Sequence, residues 1–217
     1  MPTKTVRTAK PAASAASEPT APVAATAPRR AAERIRQTAG ELFYREGIRA
    51  VGVEEIVHSA GVTKPSLYRS FPSKDELAAA YLRDFDAGFW RRFEAPAAEH
   101  PGDPRGHLLA YMEALARRAG RDGYRGCGLT NATIEYPDRN HPAHQVAAAN
   151  KRALRERLTA LCTAMGAADP AELADGLLLL LEGSYASSQT FGTGGPVRAL
   201  VATATRLIDA SLAAKPG

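Results

Sequence analysis

Cationic and polar side chains are concentrated in residues 61–71, whose sequence is GVTKPSLYRSF. Lysine, serine, threonine and tyrosine side chains bind phosphate oxygens, and an arginine can pair with O6 and N7 of a guanine through two hydrogen bonds. A short helix that points such groups outward can lie in the major groove of DNA. The residue types in this stretch therefore favour a DNA contact.

The residues just before this stretch form an apolar pattern at helical spacing: Val53, Ile56, Val57 and Ala60. Their spacing predicts a short amphipathic helix with one buried face. Gly61 follows directly, and a glycine after a helix supplies the left-handed conformation that ends it. Helix, tight glycine turn and helix together are typical of a helix-turn-helix.

The second helix is predicted to begin after Thr63, whose hydroxyl we expect to accept a hydrogen bond from the backbone N–H of Ser66. Pro65 fits the first turn of a helix, where its missing N–H leaves no bond unmade. Leu67 and Phe71 lie four residues apart, so they share one face and should anchor the helix to a small core.

The remaining side chains of this helix are predicted to contact DNA. In a helix-turn-helix the N-terminal part of the second helix lies nearest the base edges. The expected base contacts come from Lys64, Pro65 and Arg69, and the expected phosphate contacts come from Thr63, Ser66, Tyr68 and Lys74. The alternative is a helical hairpin whose charges are merely solvated, and eleven coherent positions after two correctly spaced helices favour DNA binding.

Residues 31–83 resemble the DNA-binding domain of the TetR family of bacterial repressors. The features that carry the resemblance are a first amphipathic helix (Ile35, Ala39, Leu42, Phe43), a Gly47 cap, the run VEEIVHSAGVTKPSLYRSFPSKDEL and a fourth helix opening at Ser73. Two positions depart from the family pattern. Val51 and Gly52 stand where a Ser or Thr often caps the second helix, and Ser70 replaces a frequent aromatic residue.

The resemblance implies an all-α protein that binds a pseudo-palindromic double-stranded DNA operator as a homodimer and is released by a small-molecule effector. Residues 29–75 would form the helix-turn-helix domain and residues 76–214 a helical regulatory and dimerisation domain. In the family, dimers form through the last two long helices, here predicted at 171–191 and 197–212. Leu177–Leu181 is either the buried spine of one subunit or part of that dimer contact.

Further helices are predicted beyond the DNA-binding stretch. Ser73 and Glu76 form a capping box at the start of the fourth helix, which carries Leu77, Tyr81 and Phe85 at four-residue spacing. Apolar periodicity predicts additional helices near 108–119, 126–134 and 143–165. From Ser73 onward the sequence has almost no strand pattern.

Composition and charge are those of an ordinary soluble protein, with 45% hydrophobic and 24% charged residues. Residues 1–30 carry most of the formal net charge of +5. Residues 1–28 are rich in Ala, Pro and Thr, so we expect a disordered tail that either is inert or touches DNA.

The sequence has no signal for export or membrane insertion, because prolines interrupt any signal-peptide core and no apolar run is long enough to cross a bilayer. A cytoplasmic protein without a membrane partner is therefore expected, and its two cysteines fit a reducing compartment.

A cavity for the effector is predicted only indirectly, because aromatic residues at helical spacing more often form core than pocket. The aromatic candidates are Phe89, Trp90, Phe93, Tyr111, Tyr185 and Phe191. The segment 126–144, GCGLTNATIEYPDRNHPAH, resembles a pattern found in one branch of the TetR family and matches it at Cys127, Asn131, Glu135, Asp138 and His141. The candidate effector-binding residues are Phe89, Trp90, Tyr111, Cys127, Asn131 and Tyr185.

Several roles stay open for the segment 126–144. Asn131 and Glu135 share a helix face and could brace the following helix, or the Asn131 amide could bind a ligand. Cys127 lies near a helix start and is either an electrophile or oxidant sensor or a small core residue. His141 and His144 with two nearby carboxylates could bind a metal, although capping and surface roles fit them better.

An enzyme is not expected, because the sequence contains no nucleophile elbow, phosphate loop, Rossmann glycine set or HExxH motif. No cofactor, catalytic residue or metal site is predicted. The remaining alternative is a helical interaction protein that does not bind DNA.

Overall fold

A computed structural model of the chain describes residues 27–214 and contains nine α-helices in that range. They are α1 (Ala27–Glu46), α2 (Val53–Ser59), α3 (Lys64–Ser70), α4 (Lys74–Glu94), α5 (Pro104–Ala119), α6 (Gly128–Glu135), α7 (Pro142–Met165), α8 (Pro170–Phe191) and α9 (Leu200–Ala213). Within residues 27–214 there is no β-strand. The predicted all-α class is confirmed.

Helices α1, α2 and α3 enclose a small core of their own. The four residues predicted on one face of α1, Ile35, Ala39, Leu42 and Phe43, are all buried. Ile56 from α2 and Leu67 from α3 are fully buried. So are Ile48 and Val51, in the connection between α1 and α2. The apolar spacing read from the sequence therefore positions α3 with its opposite face outward.

The turn before α3 depends on Gly61, whose φ of +60° is a conformation that L side chains rarely adopt. Its backbone N–H donates to the carbonyl of His58 over 3.1 Å.

Most of the expected disordered tail, residues 1–28, lies outside the described residues. Its last two positions are helical instead, because α1 begins at Ala27.

Helix α4 connects the first three helices to the rest of the chain. The hydroxyl of Ser73 accepts a hydrogen bond from the backbone N–H of Glu76 over 3.1 Å, so the predicted cap at the start of α4 is confirmed. The ring of Tyr81 on α4 packs edge-on against Phe43 on α1, with 5.7 Å between their centroids. Farther along, α4 packs against α6 and α7.

Helices α5 to α9 form the rest of the fold. Here α7 packs against α4, α6 and α8, and α9 packs against α5 and α8. The predicted helix at 197–212 is corrected at its start, since Pro196–Ala199 forms a 3-10 turn and α9 begins at Leu200. Within Leu177–Leu181, the outer two leucines are fully buried and Leu179 is 72% exposed. The run is therefore a buried spine on one side only.

Among the helices in residues 27–214, none is both long enough and apolar enough to cross a membrane.

Candidate DNA-binding face and effector cavity

Thr63, at the start of α3, has an extended backbone with φ −94° and ψ 153°, but its predicted side-chain cap is wrong. The backbone N–H of Ser66 donates to the Thr63 carbonyl over 2.9 Å, and Thr63 Oγ1 lies 3.1 Å from Ser66 Oγ instead. The Ser66 N–H is already bonded to the Thr63 carbonyl, so the Thr63 hydroxyl pairs with the Ser66 hydroxyl instead. Both hydroxyls stay near the helix N-terminus, where anions are favoured.

The outward side of α3 consists of residues predicted to contact DNA. Lys64, Pro65, Tyr68 and Arg69 are exposed, and Ser66 is partly exposed. Tyr68 is one of the few large hydrophobic side chains left uncovered in the described part of the chain, with 44% of its surface exposed. The helix is thus anchored from one side and free on the other, as groove binding requires.

Two cations on α3 are already held in defined orientations. Arg69 Nη2 donates to Ser66 Oγ over 2.8 Å, which keeps the guanidinium along the helix surface. The Lys64 ammonium donates to the Glu54 carboxylate on α2, and this hydrogen bond raises the pKa of Lys64. Because Lys64 is exposed, it can exchange that carboxylate for another anion at little cost.

Lys74, the predicted phosphate ligand on α4, is less accessible than the residues on α3. Its Nζ donates to the carbonyl oxygen of Arg49 over 3.4 Å, and partial burial lowers the pKa of the ammonium. The side chain therefore joins the start of α4 to the connection between α1 and α2.

The same connection is held from the other side by Glu135, at the end of α6. Glu135 Oε2 accepts a hydrogen bond from the backbone N–H of Arg49 over 2.9 Å, and the Glu135 carbonyl accepts from Arg49 Nη1 over 3.5 Å. Asn131 Nδ2 donates to the carbonyl of Arg125 over 2.8 Å, in the loop before α6. Both residues thus brace loops, Glu135 the one after α1 and Asn131 the one before α6. Neither of these hydrogen bonds reaches the following helix, although α6 itself packs against α7.

Of the two partly buried histidines in this segment, His141 caps α7 and His144 contacts the backbone before it. His141 Nδ1 accepts from the backbone N–H of Ala143 over 3.2 Å, and its ring stacks on Tyr136 with centroids 3.8 Å apart. His144 Nδ1 lies 2.7 Å from the carbonyl oxygen of Tyr136. Across residues 27–214 no group of three histidine, cysteine or carboxylate side chains is arranged to hold a metal ion.

A cavity of about 360 Å³ lies between α4, α5, α8, the loop at residues 120–127 and the end of α1. This volume is within the usual range for small-molecule sites. Four predicted effector residues line it: Phe89, Tyr111, Cys127 and Tyr185.

The other two predicted effector residues lie elsewhere. Trp90 packs edge-on against Phe89 and Phe93, since one step along a helix turns a side chain by about 100° away from its neighbour. Asn131 borders a separate hollow of about 190 Å³. Of the two remaining aromatic candidates, Phe93 is fully buried core and Phe191 is 61% exposed.

Several lining residues were not predicted from the sequence. They are Tyr44, Phe85, Arg92, Leu115, Arg118, Arg121, Asp122 and Tyr124. The run RRAGRDGYRG at residues 117–126 was the available signal, because its arginines and glycines alternate over a short loop. The same glycines also fit a simple helix end, so the sequence alone does not reveal the loop's contribution to a cavity.

Tyrosine hydroxyls form the buried polar part of the cavity. Tyr111 and Tyr185 lie with their oxygens 3.1 Å apart, and both side chains are nearly inaccessible to solvent. Burial raises the pKa of each, so both remain protonated at neutral pH and can donate hydrogen bonds. Burial likewise raises the pKa of Tyr124 at the cavity wall.

Tyr44 brings α1 into the cavity wall. Its hydroxyl donates to the carbonyl of Gly126 over 3.2 Å and accepts from the backbone N–H of Arg125 over 3.0 Å. Its ring stacks on Phe85 of α4 at 5.9 Å. Gly126 has φ +72°, and an added Cβ would lie 2.8 Å from the carbonyl oxygen of Tyr185, so only glycine fits this loop closely against α8.

Cys127 is buried in the cavity wall with 3% exposure, and its Sγ lies 3.6 Å from the Nζ of Lys151. Lys151 is also paired with Glu182 over 2.7 Å. The second cysteine, Cys162, is fully buried and lies outside the cavity, and burial raises the pKa of its thiol to about 11. The two thiols are therefore in different surroundings.

Comparisons with known proteins agree with this geometry. The family of bacterial regulatory proteins of the tetR type matches residues 35–81, which span α1 to the first part of α4. The HTH-type transcriptional regulator YjdC of Escherichia coli (strain K12) is 30% identical over 157 residues, covering 70% of this chain and 79% of that protein.

Solved structures extend the likeness to the whole described fold. A TetR-family transcriptional regulator from Streptomyces coelicolor superposes with a TM-score of 0.76 and 31% identity, covering 85% of this chain and 89% of that one. A TetR transcriptional regulator from Streptomyces avermitilis gives a TM-score of 0.73 and 35% identity, with 83% and 97% coverage. Regulators of this family are non-enzymatic transcription factors that bind DNA operators and usually act as dimers. The chain belongs to the TetR family and is a DNA-binding transcriptional regulator.

Proposed function

We propose that this protein is a ligand-responsive repressor whose dimer binds a pseudo-palindromic operator and leaves it when an effector fills the cavity beside Tyr44. The observation that carries this proposal is that α1, from the DNA-binding part, supplies part of the cavity wall. A ligand in that cavity would touch α1 and α4 together.

The DNA contacts follow from the exposed face of α3. Lys64, Pro65 and Arg69 would face the base edges, and Arg69 is the residue able to pair with a guanine through two hydrogen bonds. Thr63, Ser66 and Tyr68 would hold the helix on phosphates, and Lys74 would add a contact from the start of α4. Gly52, at the N-cap of α2, has no side chain, so α2 would lack the phosphate contact that a Ser or Thr at this position could make.

The dimer would form through α8 and α9. Leu179 stands 72% exposed at the middle of α8, although it lies within a leucine run whose other face is the core. Gly183 and Ala186 are also exposed, one and two turns farther along the helix. Small residues beside an exposed leucine allow a second copy of α8 to pack closely, as a two-fold interface requires.

Effector control would act through α1. A ligand shifts operator affinity only if it binds one arrangement of the protein better than another. Tyr44 would make the affinity for the ligand differ between the two arrangements, because its ring lines the cavity while its hydroxyl fixes the loop at residues 125–126. Moving Tyr44 would move α1, and with it the core that anchors α3.

Selection from a random pool of double-stranded DNA tests the DNA half of the proposal and yields the operator sequence in the same experiment. The protein should enrich an inverted repeat whose half-site centres lie about 10 base pairs, or a multiple of that, apart. No enrichment, or enrichment of a sequence without two-fold symmetry, would count against a dimeric operator-binding protein.

A compound screen tests the effector half. Compounds that raise the melting temperature of the protein are retested for release of a labelled copy of the selected operator. We expect compounds that bind the cavity to lower operator affinity. If every stabilising compound leaves operator binding unchanged, effector release is contradicted while DNA binding stands.

A thiol sensor is the second candidate, favoured by the Lys151 ammonium that lies 3.6 Å from Cys127 Sγ in the cavity wall. A thiol in a cavity wall can form a covalent bond with an electrophile that enters the cavity. N-ethylmaleimide should then release the operator from the native protein and from Cys162→Ser but not from Cys127→Ser. Equal release from all three proteins would contradict this candidate.

A further inference from the structure

The mouth of the cavity beside Tyr44 is surrounded by positive charge. Arg92 from α4, Arg118 from α5 and Arg121 from the following loop all line it. Arg92 and Arg121 are exposed and Arg118 is half-buried. Arginines from three separate segments therefore line one opening.

These three arginines have no carboxylate partner within 4.0 Å among residues 27–214. By contrast, Arg157 on α7 forms two hydrogen bonds with the carboxylate of Glu94. A single unpaired surface arginine is ordinary, but gathering three around one opening raises the energy of the protein through like-charge repulsion. A bound anion would relieve that repulsion.

One carboxylate is present at the same opening. Asp122 lines the cavity and is exposed, so it remains hydrated. It leaves an excess of two positive charges among the lining side chains. The opening therefore attracts anions and repels cations.

Aromatic rings hold two of the guanidinium groups in place. The guanidinium carbon of Arg92 lies 5.7 Å from the ring centroid of Phe85, and that of Arg118 lies 5.7 Å from the ring centroid of Tyr111. A guanidinium held against a ring keeps its N–H edges available to an oxyanion.

The inner wall is apolar and aromatic, with one polar feature. Phe89 and Leu115 are buried there, and so are Tyr111 and Tyr185, whose hydroxyls face each other at 3.1 Å. A hydrogen bond between two hydroxyls uses only one of their two protons, so the other stays available for a ligand oxygen.

We propose that the cavity binds an organic anion with an aromatic or other apolar body, whose charged group lies between Arg92, Arg118 and Arg121. The inner end of the ligand carries an oxygen that accepts a hydrogen bond from the Tyr111 and Tyr185 pair. The assignment of this ligand as an effector rests on the proposed function, whereas its chemical class rests on the lining side chains alone.

Two fluorescent probes with the same rings separate charge from apolar contact. 8-Anilinonaphthalene-1-sulfonate carries one negative charge, and N-phenyl-1-naphthylamine is its uncharged counterpart. The dissociation constant of each is measured by fluorescence titration for the native protein and for Arg118→Gln/Arg121→Gln. Arg117→Gln is the matched control, because Arg117 is exposed on the same helix, does not line the cavity and lies 3.8 Å from Glu113.

The native protein should bind the sulfonate about tenfold more tightly than the uncharged probe, as charge-assisted hydrogen bonds at a partly open site imply. The double variant should lose most of this preference, and Arg117→Gln should keep it. Raising the salt concentration should weaken binding of the sulfonate alone. Equal affinities in the native protein, or a full preference in the double variant, would overturn the proposal.

Release of the selected operator, measured in the same titrations, separates the two proposals. Sulfonate that binds with the expected preference but releases no DNA would contradict effector control and leave the ligand class intact. Release of DNA by both probes at equal concentrations would overturn the ligand class and leave effector control intact.

Discussion

The Glu135 carboxylate accepts a hydrogen bond from the backbone N–H of Arg49 across 2.9 Å, and the two residues are separated by 86 positions in sequence. Glu135 is the last residue of α6, and Arg49 lies in the connection between α1 and α2. Helix α6 therefore holds the DNA-binding part of the chain at the base of its helix-turn-helix. Any displacement of α6 changes the support of that connection.

Replacing Glu135 with alanine should loosen residues 47–52, because the Arg49 N–H loses a charged acceptor. Hydrogen exchange of the Arg49 amide should become about tenfold faster, the equivalent of about 1.4 kcal/mol of local stability. Glu46→Ala is the control, since the Glu46 carboxylate pairs with neighbouring Arg45 on the surface. Equal exchange in the native protein and Glu135→Ala would show that the bond does not hold this connection.

Gly126→Ala should lower the free energy of unfolding by about 2–4 kcal/mol, because it combines an unfavourable φ with a close contact to the Tyr185 carbonyl. Gly102→Ala separates the two causes. Gly102 has a similar φ of +73° but nothing within 4 Å of an added Cβ, so its cost should stay near 1 kcal/mol. Urea unfolding of both variants measures the difference, and equal losses would mean that the contact with α8 contributes nothing.

In the proposed dimer through α8, Leu179→Glu should leave a monomer and weaken operator binding, because a buried charge at the centre of a two-fold interface appears twice. Sedimentation velocity gives the mass of the species directly. Ile134→Glu is the matched control, since Ile134 is 75% exposed but lies on α6. A Leu179→Glu protein that still sediments as a dimer would place the interface elsewhere.

Arg157 should stabilise the protein in a pH-dependent way through Glu94. The hydrogen bonds from Arg157 lower the pKa of Glu94 below its ordinary value of 4.5, so the carboxylate is favoured in the folded state. A lowered folded-state pKa means that the stabilisation is complete above about pH 4.5 and is lost as the pH falls through the lowered value.

Arg157→Gln should therefore cost about 0.5–1 kcal/mol at neutral pH, a small amount because both side chains are more than a third exposed. The difference between native protein and variant should shrink as the unfolding experiments are carried below about pH 4. A difference that stays constant or grows in acid would contradict the assigned role of the pair.

Periodicity was sufficient to predict the helices and the outward face of α3. Leu67 is fully buried and Arg69 exposed, as their spacing implied, and Ser73 caps α4 as its sequence pattern predicted. These features depend on residues within a few positions of each other, where helical geometry alone fixes the neighbours.

The cavity could be predicted only in part, because its walls come from distant segments. Phe89 and Tyr185 were identified as aromatic residues on helices, but adjacent Trp90 points away from the cavity. Tyr44 was not predicted, since its contacts with the loop at residues 125–126 span more than 80 positions. Local patterns carry no information about such pairings. The contacts of Tyr44 with this loop form only once α1, α4 and α8 have packed together.

Fluorescence anisotropy with a labelled copy of the selected operator measures operator binding through Arg69. Arg69→Ala should weaken binding by about 1–3 kcal/mol, while its helical content and melting temperature match those of the native protein. Arg117→Ala, which removes the same charge from α5, should bind as the native protein does. Unchanged affinity in Arg69→Ala, or an equal loss in Arg117→Ala, would contradict recognition of DNA by this face of α3.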